Sequence, residues 1–306
     1  MINNIRIIKA KISFFMVLIV ISSLGCQQSN QEDRGKGQFN GERAYQDVVY
    51  QVNLGPRIPG EIGHLETMEW IKEELTENGW QVEIQESQYL DHDIKNIIAF
   101  RGQGDNYILI GAHYDTRIYA DQDQDPGQRE IPVPGANDGA SGVAVLLELG
   151  RVLPDDLNIP VRLVFFDAED NGGIGNWDWI LGSRAFVQEY KFLPDLAIIV
   201  DMIGDAELNI YYEHNSDEMI MDEIWQQARD LGFGSQFLAE FKHSMLDDHT
   251  PFIEAGIPAV DIIDFDYPYW HTVDDTLDKV SAESLQAVGD VVMTWLLTKL
   301  STDSVP

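Results

Sequence analysis

Apolar residues recur along this chain in two rhythms. Continuous short runs at 107–110, 161–166, 196–200 and 258–263 read as strands covered on both faces, because a strand with one wet face alternates instead. Residues 80–88 do alternate, and 95–100 and 208–212 read as further strands. Between the runs, apolar residues return every three or four positions. Leu65, Met68, Ile71 and Leu75 mark a helix over 63–77, stopped by Gly79. Val145, Leu146, Leu149 and Val152 mark another over 139–152, and helices are predicted over 42–52, 183–189, 218–231, 251–255 and 281–300. The cluster Gly55-Pro56-Arg57-Ile58-Pro59-Gly60 cannot be helix. Strands alternating with helices predict an α/β fold, one domain with a central, mostly parallel mixed sheet and helices on both faces.

The pattern changes at the N-terminus. Arg6, Lys9 and Lys11 precede a predominantly apolar stretch, 12–24, which ends at Cys26. The stretch is short for a membrane span and has the flanks of an export signal. Residues 1–25 resemble a bacterial lipoprotein signal peptide, after which Cys26 would be lipidated and become the first residue. Leu24 stands two rather than three positions before Cys26, so plain secretion stays open. Either way the chain is expected to be exported, as a lipid-anchored protein on a periplasmic or outer-membrane face or as a secreted one. Residues 26–41 are polar and rich in Gln, Asn and Gly, and read as a tether. The expected catalytic domain is 42–306.

Composition narrows the partners. The net charge is −32 over 306 residues, which argues against nucleic acid, since phosphates are repelled. Cys26 is the only cysteine, so no intrachain disulfide can form and stability rests on the core or on metal. A monomer is expected.

The candidate chemistry sits at strand ends. The run 107–110 leads into Gly111-Ala112-His113-Tyr114-Asp115-Thr116, placing an imidazole and a carboxylate where open α/β sheets bind ligands. Asp138, Glu169 with Asp170, Asp201, and Trp270 with His271 each lie just past a strand or at a helix start. Singly, each has a plain alternative: Asp138 could cap a helix, Glu169 and Asp170 could be a solvated loop, and His271 a surface residue. Together, two imidazoles and three carboxylates are the ligand types that zinc takes, with Glu169 left over beside Asp170 to move protons. The long polar segment 116–136, acidic over 117–130, is longer than a mere connection needs.

Seven motifs, in order, resemble the co-catalytic zinc aminopeptidases and the glutaminyl cyclases that share their fold. They are Gly-Ala-His-Tyr-Asp-Thr at 111–116, Gly-Ala-Asn-Asp-Gly-Ala-Ser-Gly at 135–142, Phe-Asp-Ala-Glu-Asp at 166–170, Leu-Gly-Ser-Arg at 181–184, Asp-Met-Ile-Gly at 201–204, Asp-Asp-His-Thr-Pro-Phe at 247–252 and Trp-His-Thr-Val-Asp-Asp at 270–275. The resemblance implies Asp138, Asp170 and His271 as zinc ligands and Glu169 as the acid/base. In the peptidase branch His113 and Asp201 would join Asp138 at a second zinc. In the cyclase branch one zinc is implied, and Asp201 with Asp247 forms a hydrogen-bond network. Trp270 before His271, Asp170 where the peptidases carry Glu, and the acidic loop resemble bacterial cyclases of the animal type. That implies conversion of N-terminal glutamine in peptides or proteins to pyroglutamate with loss of ammonia, Trp270 and Tyr267 holding substrate. The alternative is an exported two-zinc aminopeptidase. Trp177 and Trp179 lie in a loop that could wall the pocket or simply pack.

Overall fold

Residues 37–101, 104–155 and 157–301 are described, in a computed structural model. The expected signal peptide 1–25 and Cys26 lie outside them. The chain runs α1 (Gly41–Leu54), α2 (Ile62–Glu77), β1 (Gln81–Tyr89), β2 (His92–Phe100), β3 (Ile108–His113), α3 (Ala140–Val152), β4 (Val161–Phe166), α4 (Leu181–Glu189), β5 (Leu196–Asp201), β6 (Ile210–Glu213), α5 (Glu218–Leu231), β7 (Phe237–His243), α6 (Thr250–Glu254), β8 (Ala259–Ile263) and α7 (Ala282–Ser301). Six strands form one sheet in the order β1-β2-β4-β3-β5-β8. The first three pair antiparallel, and β4, β3, β5 and β8 run parallel.

The continuous apolar runs are explained by cover on both faces. Ile108, Ile110 and Ala112 of β3 enter the larger core with α1, α2, α3, α5 and α7. Leu109 points into the other core with Phe186 of α4 and Phe252 of α6. β1 and β2 join through Leu90 and Asp91, both at positive φ (48° and 67°), as a two-residue hairpin requires.

Close approach fixes one glycine. A Cβ on Gly142 would stand 2.6 Å from the carbonyl oxygen of Val200 and 2.8 Å from Cβ of Ala112. The first turn of α3 thus lies directly on the ends of β3 and β5. Gly142→Ala is expected to lower stability by about 1–3 kcal/mol, read as a fall in melting temperature. An unchanged melting temperature would show that α3 can lift away without cost.

Two segments differ from the sequence reading. The strand expected at 208–212 is Ile210–Glu213, and it pairs with β7, which no apolar rhythm announced. β7 is mostly exposed, and Glu240 and Lys242 interrupt its apolar positions. The expected tether is packed from Phe39, which is buried and whose ring sits against Gly289 of α7. No described helix is long and apolar enough to cross a membrane.

Candidate active site

β4 and β5 flank β3 on opposite sides, so the crevice opens at the C-terminal ends of these parallel strands. His113 ends β3, Asp201 ends β5, and Glu169 and Asp170 follow β4. Asp138 lies just before α3, and His271 in the segment after β8. Backbone strain gathers here. Ala168 before Glu169, Met202 after Asp201, and His271 itself hold positive φ of 52°, 47° and 56°, conformations a tertiary framework must enforce.

The side chains converge in two groups that share Asp138. His113 Nε2 is 3.1 Å from Asp138 Oδ1 and 3.1 Å from Asp201 Oδ1. His271 Nε2 is 2.6 Å from Asp170 Oδ1 and 3.6 Å from Asp138 Oδ2. In each group one donor atom per residue lies within 4.8 Å of the others. Asp138 is not the helix cap: α3 starts at Ala140 with Gly139 at its N-cap and no side-chain cap bond. Oδ2 of Asp138 and of Asp170 are buried without a hydrogen-bond partner. Buried, convergent and unsatisfied carboxylates with imidazole fit a divalent cation.

Neighbours to which the sequence assigned no role set this geometry. Asp115 accepts from the backbone N–H of Glu169 (3.0 Å) and Asp170 (3.3 Å) and from Asn171 Nδ2 (3.2 Å). Asp275 accepts from the N–H of Asn137 (2.8 Å) and Asp138 (3.2 Å). Asn137 donates to the Met202 carbonyl and accepts from Gly204 N–H, tying the 137–138 turn to the end of β5. Arg57 is fully buried and donates to the carbonyls of Tyr114, Pro134, Gly135 and Asp138. Asp115 and Asp275 stand inside recognised motifs, which was a signal. Arg57 carried none beyond its turn.

The acidic loop is ordered by its own charges. Arg117 pairs with Asp121 (2.7 Å), donates to the Asp170 carbonyl and lies over Trp179. Asp121 Oδ1 is 3.9 Å from His271 Nδ1, and Asp123 accepts from Val273 N–H. The loop therefore braces the His271 segment.

A pocket of about 200 Å³ opens beside these groups, lined by Glu169, Asp201 and Asp247 on the polar side. Trp179, Trp270, Phe265 and Leu246 line its apolar side. The Trp270 indole stacks on His271 with centroids 3.7 Å apart. Tyr267 is a correction: its ring is buried and its hydroxyl donates to Asp275 Oδ1 at 2.7 Å, so it braces the 137–138 turn rather than meeting a substrate. Trp177 stacks on His92, and it is Trp179 that reaches the pocket.

Burial raises the carboxyls here. Glu169 stands well above the usual range through burial, with Asp170 and Asp247 adding to the rise and His113 opposing it. Burial takes Asp170 to about 6 and Asp201 to about 7, against an ordinary 3.8. A carboxyl with a raised folded-state value contributes stability that is present at low pH and lost as pH rises through that value. Chelator-treated protein should thus lose stability between about pH 4 and about pH 7, and Asp201→Asn should flatten that slope. Zinc-loaded protein should show the opposite trend, because its ligands must be deprotonated. Melting curves across this range decide it: equal slopes for the chelated parent and Asp201→Asn would refute the prediction.

Comparisons with known proteins bear on the site as a whole. The sequence profile of Peptidase family M28 matches residues 96–296. The crystal structure of Porphyromonas gingivalis glutaminyl cyclase superposes with a TM-score of 0.80 and 33% identity, covering 86% of this chain and 99% of that one. A zinc-dependent exopeptidase from Parabacteroides distasonis superposes with a TM-score of 0.81 and 30% identity, covering 86% and 99%. The glutaminyl-peptide cyclotransferase of Gloydius blomhoffii is 25% identical over 315 residues, 86% of this chain and 83% of that protein.

Proposed function

The chain belongs to peptidase family M28, and on that footing we propose that it is a glutaminyl-peptide cyclotransferase acting on peptides or proteins with N-terminal glutamine. The observation that carries this reading is the Trp270 indole stacked on His271 at the wall of a pocket that also presents Glu169. Such a pocket holds one folded side chain beside a proton carrier.

Asp138, Asp170 and His271 would hold zinc, which when bound supplies Lewis-acid polarisation of the glutamine γ-carbonyl. Trp270 and Trp179 confine the glutamine side chain so that its own α-amine faces that carbonyl, a proximity effect. The amine nitrogen bonds to the carbonyl carbon of the side-chain amide (Cδ), closing a five-membered ring, and Glu169 takes the proton the amine loses. Glu169 then delivers this proton to the amide nitrogen as its bond to the carbonyl carbon breaks. Ammonia leaves and the ring closes as pyroglutamate. Burial raises Glu169 well above the usual carboxylate range, which favours its protonated form relative to an exposed carboxyl, as suits an acid/base shuttle. Asp201 and Asp247 line the same pocket and would accept hydrogen bonds from the departing nitrogen.

The group His113, Asp138 and Asp201 favours a second reading, a two-zinc aminopeptidase. Mass spectrometry of two peptides, one beginning with Gln and one with Leu, separates them. Loss of one ammonia from the first alone supports the cyclase. Release of free Leu from the second, without ammonia loss from the first, overturns it.

The leader 1–25 and Cys26 support export with a lipid anchor. Labelled fatty acid should enter the parent and not Cys26→Ser; label in neither would leave secretion without an anchor. The acidic surface supports a monomer that does not bind nucleic acid.

A further inference from the structure

Where Asp247 leaves the pocket wall, a third group of ligand-type side chains converges. Asp247 and His249 precede α6, and Asp261 lies on β8. One donor atom from each lies within 4.8 Å of the others. His249 and Asp261 are 0% exposed. Both ring nitrogens of His249 and both carboxylate oxygens of Asp261 lack a hydrogen-bond partner among the described residues.

The spacing is not that of a shared proton. His249 Nδ1 stands 3.7 Å from Asp261 Oδ2, beyond hydrogen-bond reach. Tetrahedral ligands bonded at about 2.0–2.2 Å stand about 3.3–3.6 Å from one another, close to the 3.7 Å of this pair. Behind the ring, Glu213 Oε2 is 3.3 Å from His249 Nε2. That carboxylate is itself held by the N–H groups of Asn215, Ser216 and Met245 and by the Ser216 hydroxyl.

A carboxylate behind a metal-binding imidazole orients the ring and selects its tautomer. The same device stands behind both site histidines. His113 has Asp115 3.5 Å from Nδ1 while Nε2 faces Asp138 and Asp201. His271 has Asp121 3.9 Å from Nδ1 while Nε2 faces Asp138 and Asp170. His249 repeats the arrangement with its nitrogens exchanged, Nε2 backed by Glu213 and Nδ1 facing Asp261.

We propose that Asp247, His249 and Asp261 form a separate, buried site for a divalent cation of the zinc or manganese class, with His249 Nδ1 as its nitrogen ligand and Glu213 orienting the ring. The ligand set is imidazole and carboxylate, which suits these ions. Its occupant neutralises acids that lack a lysine or arginine partner among the described residues. It also anchors Asp247, which lines the substrate pocket.

Metal counting tests this without reference to activity. In the full chain, Asp138→Ala with His271→Ala removes the ligand shared by the two other groups and the imidazole of one of them. After loading with zinc or manganese and desalting, this double variant should retain one ion per chain, measured by inductively coupled plasma mass spectrometry. Adding Asp261→Asn should remove that ion and abolish the rise in melting temperature that the metal gives the double variant. Should the triple variant not melt cooperatively, His249→Gln in the same background is read in the same way. A double variant that retains no ion, or a further substitution that leaves the ion in place, overturns the proposal.

Discussion

Glu169→Gln should lower the rate of ammonia release by about 10²–10⁴-fold, the range that a positioned general acid/base contributes. Glutamine keeps the size and polarity of the side chain but cannot carry the proton from amine to leaving nitrogen. The loss should fall on kcat, because the pocket walls that bind substrate, Trp179 and Trp270, are untouched. Metal content should not change, since Glu169 belongs to neither of the ligand groups around Asp138. Steady-state kinetics with a glutaminyl peptide, alongside metal analysis, reads both quantities. Full activity in a metal-replete Glu169→Gln would remove Glu169 from the reaction. Loss of metal together with activity would reassign it as a ligand.

The largest stability effect is expected at Arg57, which does not line the pocket. Its guanidinium donates to four carbonyl oxygens on the 114–116 and 134–138 segments, and its own N–H donates to the Thr116 hydroxyl. Burial pulls its pKa down to about 10, with Asp275, Asp138 and Asp115 opposing the fall, so it remains a cation at neutral pH. Arg57→Met would leave these acceptors buried and unpaired and the nearby acids without their counter-charge. A loss of about 3–5 kcal/mol is expected, as for breaking one side of a buried charge arrangement. In a domain of this size the melting temperature should fall by about 10 °C. Arg57→Lys should recover little of it, because one ammonium cannot span four carbonyls in a plane. A fall of a degree or two in calorimetry would show that water replaces the guanidinium at little cost.

Both predictions join residues that differ in how visible they are along the chain. Glu169 can be found by reading: it follows an apolar strand and adjoins a second acid, and buried acids at a strand end need a reason. Arg57 cannot, because its turn cluster says only where helix is excluded. Its partners lie 57 to 81 positions away. Tyr267 shows the reverse error. The resemblance implied that it holds substrate beside Trp270, yet its hydroxyl is taken up by Asp275. Proximity in sequence could not say on which side of the loop each ring falls. Trp177 and Trp179 divide in the same way, one to His92 and one to the pocket.

The pattern of apolar runs and helical spacings by itself determined the α/β alternation, the burial of β3, β4, β5 and β8 on both faces, and the strand ends at which chemistry could lie. These are local properties, set by side-chain period and by the cost of exposing apolar surface. Tertiary structure alone decided that β5 adds beside β3, opposite β4, so that Asp201 and Asp170 each fall into a ligand group with Asp138. It alone placed β7, whose exposed positions carry no apolar rhythm, against β6. It also chose the carboxylates behind the imidazoles, Asp115, Asp121 and Glu213. The physical reason is common to all three. Hydrogen bonds and charge pairs between distant segments form only after burial has brought those segments together, and the chain's local rhythm holds no record of which partner each will meet.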